Sequence, residues 1–461
     1  MFQAQERRSV FAIAGIYGLR MLGLFLILPV FALYAETLKD HTPMLVGLAL
    51  GAYGLTMALL QIPFGWLSDK IGRKPVIAAG LLIFALGSVV AALADSIWWI
   101  IIGRALQGAG AIAAALTALL ADLTREDVRL RAMAVIGMTI GMSFTVALIL
   151  GPWIDALIGV PGIFWATAVL ALVSIAVLYL VVPTPRQTIR HRDAEAVPTD
   201  FRRILGDTQL LRLDFGIFAL HGVMTAMFVA LPFVLRDELH IESLHHPWVY
   251  LPVLIVAMAV MVPMIILAEK RGKMRVVFLS AIAGVMLSGV MLGSFHEGLL
   301  SVVLGLFVFF VSYNVLEATL PSLISRMAPI DAKGTAMGVY STSQFLGAFF
   351  GGSLGGWMLG EYGVGGVFYS CAAVMLLWLA LAWHQRMPAM KSSVMAHVDG
   401  QRLASADRLE KRLLDLQGVH EARVVPEENA VFLRVDKQLF DEKRLAALLA
   451  EEVGEGDKHD A

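Results

Sequence analysis

Apolar residues occupy most of this chain in long blocks, separated by short charged or turn-forming segments. Twelve blocks stand out, at about 9–35, 44–66, 76–94, 97–121, 132–154, 162–182, 213–235, 248–268, 276–295, 299–324, 334–359 and 366–384. A helix needs about 20 apolar residues to cross the hydrocarbon of a bilayer, and most blocks reach that length. The first follows Arg7 and Arg8, as a signal peptide would, but Arg20 interrupts it. It is also too long for a signal h-region and is followed by no small-residue cleavage site, so it is read as an uncleaved first span.

Composition agrees with the blocks. Of 461 residues, 58% are hydrophobic and 16% charged, and the mean hydropathy is +0.75. Soluble chains carry roughly a quarter charged residues, so a water-facing globular fold is excluded. The formal net charge of −1 gives no reason to expect a nucleic-acid partner. The single cysteine, Cys371, excludes a disulfide framework and any CxxC metal or redox site. An all-α membrane protein of twelve transmembrane helices is predicted.

Lys and Arg orient it. The N-terminal tail and every second connection hold twenty cations, among them Lys70, Arg73, Lys74, Arg125, Arg129, Arg131, Lys270, Arg271 and Lys273. The opposite connections hold Lys39 and Arg236. Positive charge is retained inside, so both termini are placed in the cytoplasm.

The chain divides into two halves, 1–182 and 213–386, at a charged linker, 183–212, bearing Pro183, Pro185 and Pro198. Leu67–Arg73 after span two matches Leu267–Lys273 after span eight, an offset of 200 residues. Ala132–Val135 matches Ala336–Val339 at 204, and Phe25…Leu28-Pro29 matches Phe228…Leu231-Pro232 at 203. Parallel six-span repeats with a site between them are the build of a rocking transporter.

Beyond about 388 the composition turns soluble. The pattern predicts a strand (394–398), a helix (406–416), strands (420–425 and 431–435) and a second helix (441–452). Leu409, Leu413 and Leu416 keep helical spacing, and Gly418 supplies a stop. This βαββα order is that of a small α+β ferredoxin-like domain, 391–453, lacking a last strand. A missing strand leaves a sheet edge that invites pairing with the transporter's own cytoplasmic loops or with another chain. The domain has no cysteine, and His397 and His420 form no ligand cluster, so no metal or cofactor is called for. Residues 454–461 read as a disordered tail.

Two segments carry signatures. Gly65-Trp66-Leu67-Ser68-Asp69-Lys70-Ile71-Gly72-Arg73-Lys74 lies between spans two and three, with Gly65 allowing close helix approach and Gly72 a tight turn. Arg104-Ala105-Leu106-Gln107-Gly108 lies in span four. The first resembles motif A of the major facilitator superfamily nearly residue for residue, and the second resembles its motif B. With the soluble tail, the whole chain looks like the YajR-type group, proton-driven drug-antiporter-like transporters with a cytoplasmic C-terminal domain.

The resemblance implies a cytoplasmic gate. Asp69 would face the start of span eleven near Gly334, where the helix dipole favours an anion, and Arg73 would pair with Asp122. That latch would hold an outward-open state, and its second copy, Glu269 and Lys273, would latch less well. Gly141, Ala147, Gly151 and Pro152 partly match the antiporter motif C, with Asp155-Ala156 where the closing glycine pair would stand.

Charged groups inside a bilayer cost about 2.5–3.5 kcal/mol on insertion scales and usually face a cavity or a partner. Four lie within spans: Arg20, Arg104, His221 and Glu317. Glu317, with Asn314 one turn before it, is the leading proton carrier. Arg104 would bias a nearby acid or form a structural ion pair. Arg20 would contact an anionic group or Glu317 across the cavity. His221 is a second titratable candidate or a simply hydrogen-bonded histidine. Gln61, Tyr53, Tyr340 and Gln344 add polar or aromatic cavity surface. The many span methionines, Met57, Met138, Met142, Met224, Met227, Met258 and Met261 among them, suit a promiscuous lipophilic site or face lipid.

No GxxxxGK[ST] loop is present, which argues against ATP-driven transport, and no nucleophile–base constellation supports an enzyme. The reading is a bacterial inner-membrane secondary transporter exporting small lipophilic compounds in exchange for protons, with no cofactor. A metabolite uniporter or symporter, and a sensor signalling through the tail domain, stand as alternatives.

Overall fold

The computed structural model describes residues 2–184, 200–329, 332–387, 392–397, 406–425, 430–435, 439–442, 444–446 and 448–449. Half of the linker (185–199), Val398, residues 450–453 and the tail 454–461 lie outside them.

Long apolar helices fill the sequence blocks. They are α1 (Ala4–Phe25), α2 (Phe31–Tyr34), α3 (Pro43–Ile71), α4 (Arg73–Ala92), α5 (Ile97–Ala109), α6 (Ala113–Asp122) and α7 (Glu126–Leu180). The short α8 (Phe201–Leu205) precedes α9 (Thr208–Phe233), α10 (His246–Lys270), α11 (Met274–Ser294), α12 (Leu299–Met327) and α13 (Lys333–Ala382). Among the described residues, ten helical runs are long and apolar enough to cross a membrane. Two of them, α7 and α13, are 55 and 50 residues long. At 1.5 Å per residue each spans about 75 Å or more, over twice a hydrocarbon core. Each is broken at one glycine of positive φ, Gly159 (71°) and Gly363 (68°), so each covers two of the apolar blocks.

Two blocks expected to be single helices are interrupted. Block 9–35 stops at Phe25 and turns through Leu26–Val30, where Pro29 supplies no N–H, before α2. Block 97–121 breaks at Gly110–Ile112, leaving α5 and α6 as half-helices. Glycine permits that break by removing bulk: a Cβ on Gly110 would lie 2.3 Å from the Gly80 carbonyl oxygen.

Helices α1–α7 and α9–α13 meet at the ends that the Lys/Arg count places outside. There Gly47, Gly51 and Gly54 of α3 lie directly on Gly352, Gly356, Phe349 and Phe345 of α13. Arg236, just after α9, holds both carboxylate oxygens of Glu36, at 2.5 and 3.2 Å. An aromatic chain, Phe25–Phe144–Phe228–Tyr250, crosses from α1 and α7 to α9 and α10 with ring centroids 5.3, 6.3 and 6.4 Å apart. Deeper, the Gln61 amide donates to Thr342 Oγ1 at 3.0 Å and Gly338 O at 3.4 Å.

The soluble segment forms an antiparallel sheet of order β1-β3-β2, from β1 (Ser392–His397), β2 (Val419–Val425) and β3 (Ala430–Val435). Helix α14 (Ala406–Leu414) covers it, with Leu409 and Leu413 packed on Val419, Val424, Val431, Leu433 and Val435. β1 starts two residues earlier than its sequence pattern, and α14 ends two residues before the expected Leu416. Described residues from 442 to 449 are helical. This is the strand order of a ferredoxin-like domain, with β1 at one edge.

Candidate substrate and coupling site

Two polar clusters lie at mid-depth, one in each set of helices. In the second, α9 supplies His221, α12 supplies Tyr313 and Glu317, and α13 supplies Tyr340 and Gln344. The Gln344 amide nitrogen approaches His221 Nε2 at 2.7 Å, with the Tyr313 hydroxyl at 3.5 Å. An amide N–H can only donate, so Nε2 accepts and the neutral ring carries its proton on Nδ1. That nitrogen faces Glu317 Oε2 at 3.9 Å, too far for a hydrogen bond and close enough for an ion pair once the ring is charged. The side chain of Glu317 is 39% exposed and that of His221 18%, so this pair is the accessible edge of the cluster. The Tyr340 hydroxyl is buried without a hydrogen-bond partner among the described residues. Asn314, one turn before Glu317, is half-buried.

The first cluster surrounds Tyr53. Arg20 Nη2 donates to the Tyr53 hydroxyl at 2.7 Å and to Gly110 O at 3.3 Å, and lies 3.4 Å from Met57 Sδ. Arg104 Nη1 donates to Gln107 Oε1 at 2.7 Å, and Gln107 passes a bond on to Ser88. Both guanidinium groups lie over the Tyr53 ring, 5.8 and 5.3 Å from its centroid. Two sequence expectations change here. Arg20 does not reach Glu317, because its fork is turned toward the broken backbone at Gly110. Arg104 has no carboxylate partner among the described residues, so it forms no structural ion pair; a glutamine three residues on takes that place.

At the opposite ends of these helices, Gly72 (φ 99°) joins α3 to α4 in one residue and puts Arg73 in the first turn of α4. Arg73 Nε donates to Asp122 Oδ2 at 3.0 Å, and Nη1 binds Ser68 Oγ at 2.9 Å and the Asp69 carboxylate. The Arg73 and Asp122 side chains are 1% and 0% exposed, against 29% for Asp69. Gly65 lets α3 approach α6, since a Cβ there would stand 3.2 Å from Ala114 Cβ. Gly334 is the second residue of α13.

Sequence reasoning missed three features. Gln107 stood inside a quoted motif and was not given a role. The Glu36–Arg236 pair joins residues 200 apart and has no local signal. Asp214 lies on α9 two turns before His221, on the same face, and is 4% exposed, with neither carboxylate oxygen hydrogen-bonded among the described residues. Its i, i+7 spacing to His221 was the signal available.

A bundle of long apolar helices with polar clusters between them points to a class: a multi-pass membrane transporter. The sequence profile of the Major Facilitator Superfamily matches residues 13–352 and 314–406. The inner membrane transport protein YajR of Escherichia coli K12 is 44% identical over 94% of this chain and 95% of its own. Multidrug resistance protein 2 of Bacillus subtilis 168 is 26% identical over 83% of this chain and 96% of its own. Among solved structures, a bacterial homologue of the human lysosomal transporter Spinster, inward-facing and occupied, superposes with a TM-score of 0.68 at 14% identity, covering 83% of this chain and 97% of that one. The chain belongs to the Major Facilitator Superfamily. It is a multi-pass transporter of the bacterial inner membrane that moves a small-molecule substrate, and it is not an enzyme.

Proposed function

We propose that this transporter exports small lipophilic compounds in exchange for protons, by alternating access of twelve crossings arranged as two halves, 1–182 and 213–386. The observation that carries the reading is the Glu317–His221 pair: two titratable groups 3.9 Å apart, partly accessible, on different helices of one half. A proton on Glu317 removes a charge from the cavity wall, and a proton on His221 converts the contact into an ion pair, so occupancy of this pair biases how the helices pack. Similarity to a multidrug resistance protein supports efflux. With both termini cytoplasmic, closure at the outer ends makes this an inward-facing arrangement. Asp69, Arg73, Asp122 and Gly334 then act as the cytoplasmic gate in the opposite state, and the 391–453 domain serves regulation or assembly through the β1 edge.

The test is proton flux in energised inverted vesicles challenged with a panel of lipophilic compounds, comparing wild type with Glu317→Gln at equal expression. Substrate-dependent proton release in wild type and none in the variant is expected. Release that survives in the variant removes Glu317 from coupling. Silence of wild type to every compound overturns drug antiport in favour of metabolite transport or sensing.

A further inference from the structure

We infer that the α5–α6 break, with Arg20 and Arg104, forms a binding site for a lipophilic organic carboxylate. The inference rests on the transport reading above and gives it a substrate class.

Charge comes first. Arg20 and Arg104 are 1% and 2% exposed. A guanidinium does not shed its proton in a protein, so it cannot neutralise itself as a buried carboxylic acid can. Several acids of the same half are engaged elsewhere, at the ends of the helices: Glu6 by Arg125, Asp69 and Asp122 by Arg73, Asp95 by Lys39, Glu36 by Arg236. Among the described residues no carboxylate pairs with Arg20 or Arg104. Nε and Nη1 of Arg20 and Nε of Arg104 are buried and have no hydrogen-bond partner among those residues either. Two buried cations flank one aromatic ring, and a negative charge from outside the chain is the remaining way to balance them.

The backbone makes the same demand. Non-helical backbone at membrane depth persists where protein surrounds it or where it lines a site, and broken helices are where transporters place their ligands. Here α5 stops at Ala109, and Arg20 holds the freed Gly110 carbonyl. α6 then starts at Ala113 with no side-chain cap. An uncapped helix start presents unpaired N–H groups and the positive end of the helix dipole, which favour an anion. The break therefore adds a third positive feature to the two arginines.

The surroundings define the rest of the ligand. Tyr53, Phe84 and Met57 pack on Arg20, and Phe345 of α13 meets the Tyr53 ring at 6.3 Å. These rings and the thioether suit a flat apolar body, and an arginine fork suits a carboxylate. Phe345 also ties the site to the opposite set of helices. A lipophilic cation, the usual probe of drug antiport, is repelled by both guanidinium groups.

The experiment uses the full-length protein in lipid nanodiscs, with ligand-dependent thermal stabilisation and tryptophan fluorescence as readouts. The probes are salicylate, its neutral analogue salicylamide, tetraphenylphosphonium and sodium chloride. Salicylate is expected to stabilise saturably, and salicylamide and tetraphenylphosphonium are not. Arg20→Gln and Arg104→Gln should each weaken salicylate at least tenfold while melting, without ligand, no lower than wild type, because each removes an uncompensated charge. If Arg20→Gln fails to fold, Arg20→Lys keeps the charge without the fork and should weaken salicylate by a smaller factor. Equal binding of salicylamide, a shift produced entirely by chloride, or salicylate binding indifferent to the arginine variants would each overturn the site. Proton flux driven by tetraphenylphosphonium without salicylate binding would overturn this inference and leave proton-coupled efflux standing. Salicylate binding without proton flux would do the reverse.

Discussion

Closure of the outer ends depends on glycine, and Gly47→Ala is the sharpest way to disturb it. On α3, Gly47, Gly51 and Gly54 make one face against α13. A Cβ on Gly47 would stand 2.0 Å from the Gly352 carbonyl oxygen and 2.9 Å from Gly356 Cα. The facing backbone would have to retreat by about 1.4 Å to restore van der Waals contact, and no flexible side chain is there to yield. Overpacking of this kind costs about 1–3 kcal/mol. Alanine also improves helix propensity by about 1 kcal/mol, but α3 is a helix whether or not it touches α13, so that gain cancels between conformations. The clash arises only in the closed arrangement and should shift the population toward outer opening by about 5- to 150-fold. Spin labels at Lys39→Cys and Glu242→Cys, both exposed on outer connections, report the change as a distance distribution in nanodiscs. Cys371, which is buried, need not be replaced. Gly137→Ala in α7, where nothing lies within 4 Å, is the matched control. A longer-distance population in Gly47→Ala and none in Gly137→Ala is expected. An unchanged distribution in a folded Gly47→Ala protein would refute the reasoning.

Other outcomes follow from the charged ends of the helices. Arg73→Gln leaves Asp122 buried, so it should cost about 3–5 kcal/mol, and the double variant with Asp122→Asn should recover part of that in thermal unfolding; full additivity would show that the two do not act as a pair. Asp69→Asn should lower transport in reconstituted vesicles while expression is retained, and unchanged rates would remove it from the gate. Lys39 holds the Asp95 carboxyl below its ordinary value, and Asp95 in turn raises Lys39. Asp95 then adds stability above its ordinary value and loses it as pH falls through the lowered one, while Lys39 loses its share only as pH rises past the raised value. Both groups are exposed, so the melting difference between wild type and Asp95→Asn should be small at neutral pH, fall with salt and fade as acid protonates the carboxylate. A difference that persists in acid would contradict the pairing.

The parts of the fold readable in the sequence were those set by local chemistry. Apolar blocks of sufficient length became helices because a backbone in hydrocarbon must satisfy itself. The tail's alternation and its Leu409–Leu413 stripe became a sheet and its covering helix for similar reasons. The interruption at Gly110 was not readable, because Gly-Ala-Gly in an apolar run is compatible with an unbroken helix. What decides it is contact: the Gly80 carbonyl, the Phe84 side chain and Arg20 from another helix all meet that segment. Partners of charged groups were readable only where a familiar motif lay. Arg20 was expected to find either an anion or Glu317, and only the fold shows that Nη2, one arm of its fork, goes to Tyr53 and the broken backbone.

That outcome separates two kinds of charge in the protein. The first set of helices holds fixed cations that no pH in the cell alters. The second holds groups that a proton can change, Glu317 and His221, on the accessible side of a hydrogen-bonded cluster. Both arginines lie over Tyr53, whose ring meets Phe345 at 6.3 Å, and Gln344, next in sequence to Phe345, bonds His221. A carboxylate held by the first set and a proton held by the second therefore sit on opposite walls and need not compete for one group. Coupling then passes through packing: a proton that tightens the His221–Glu317 contact draws α9 and α12 together beside Gln344, and Phe345 carries that shift to the ring on which both arginines rest. Phe345→Ala should on this account leave salicylate binding and proton binding each measurable and weaken the dependence of one on the other. Binding isotherms for salicylate at pH 6 and pH 8 in nanodiscs would read it directly, and an unaltered pH dependence in the variant would sever the link.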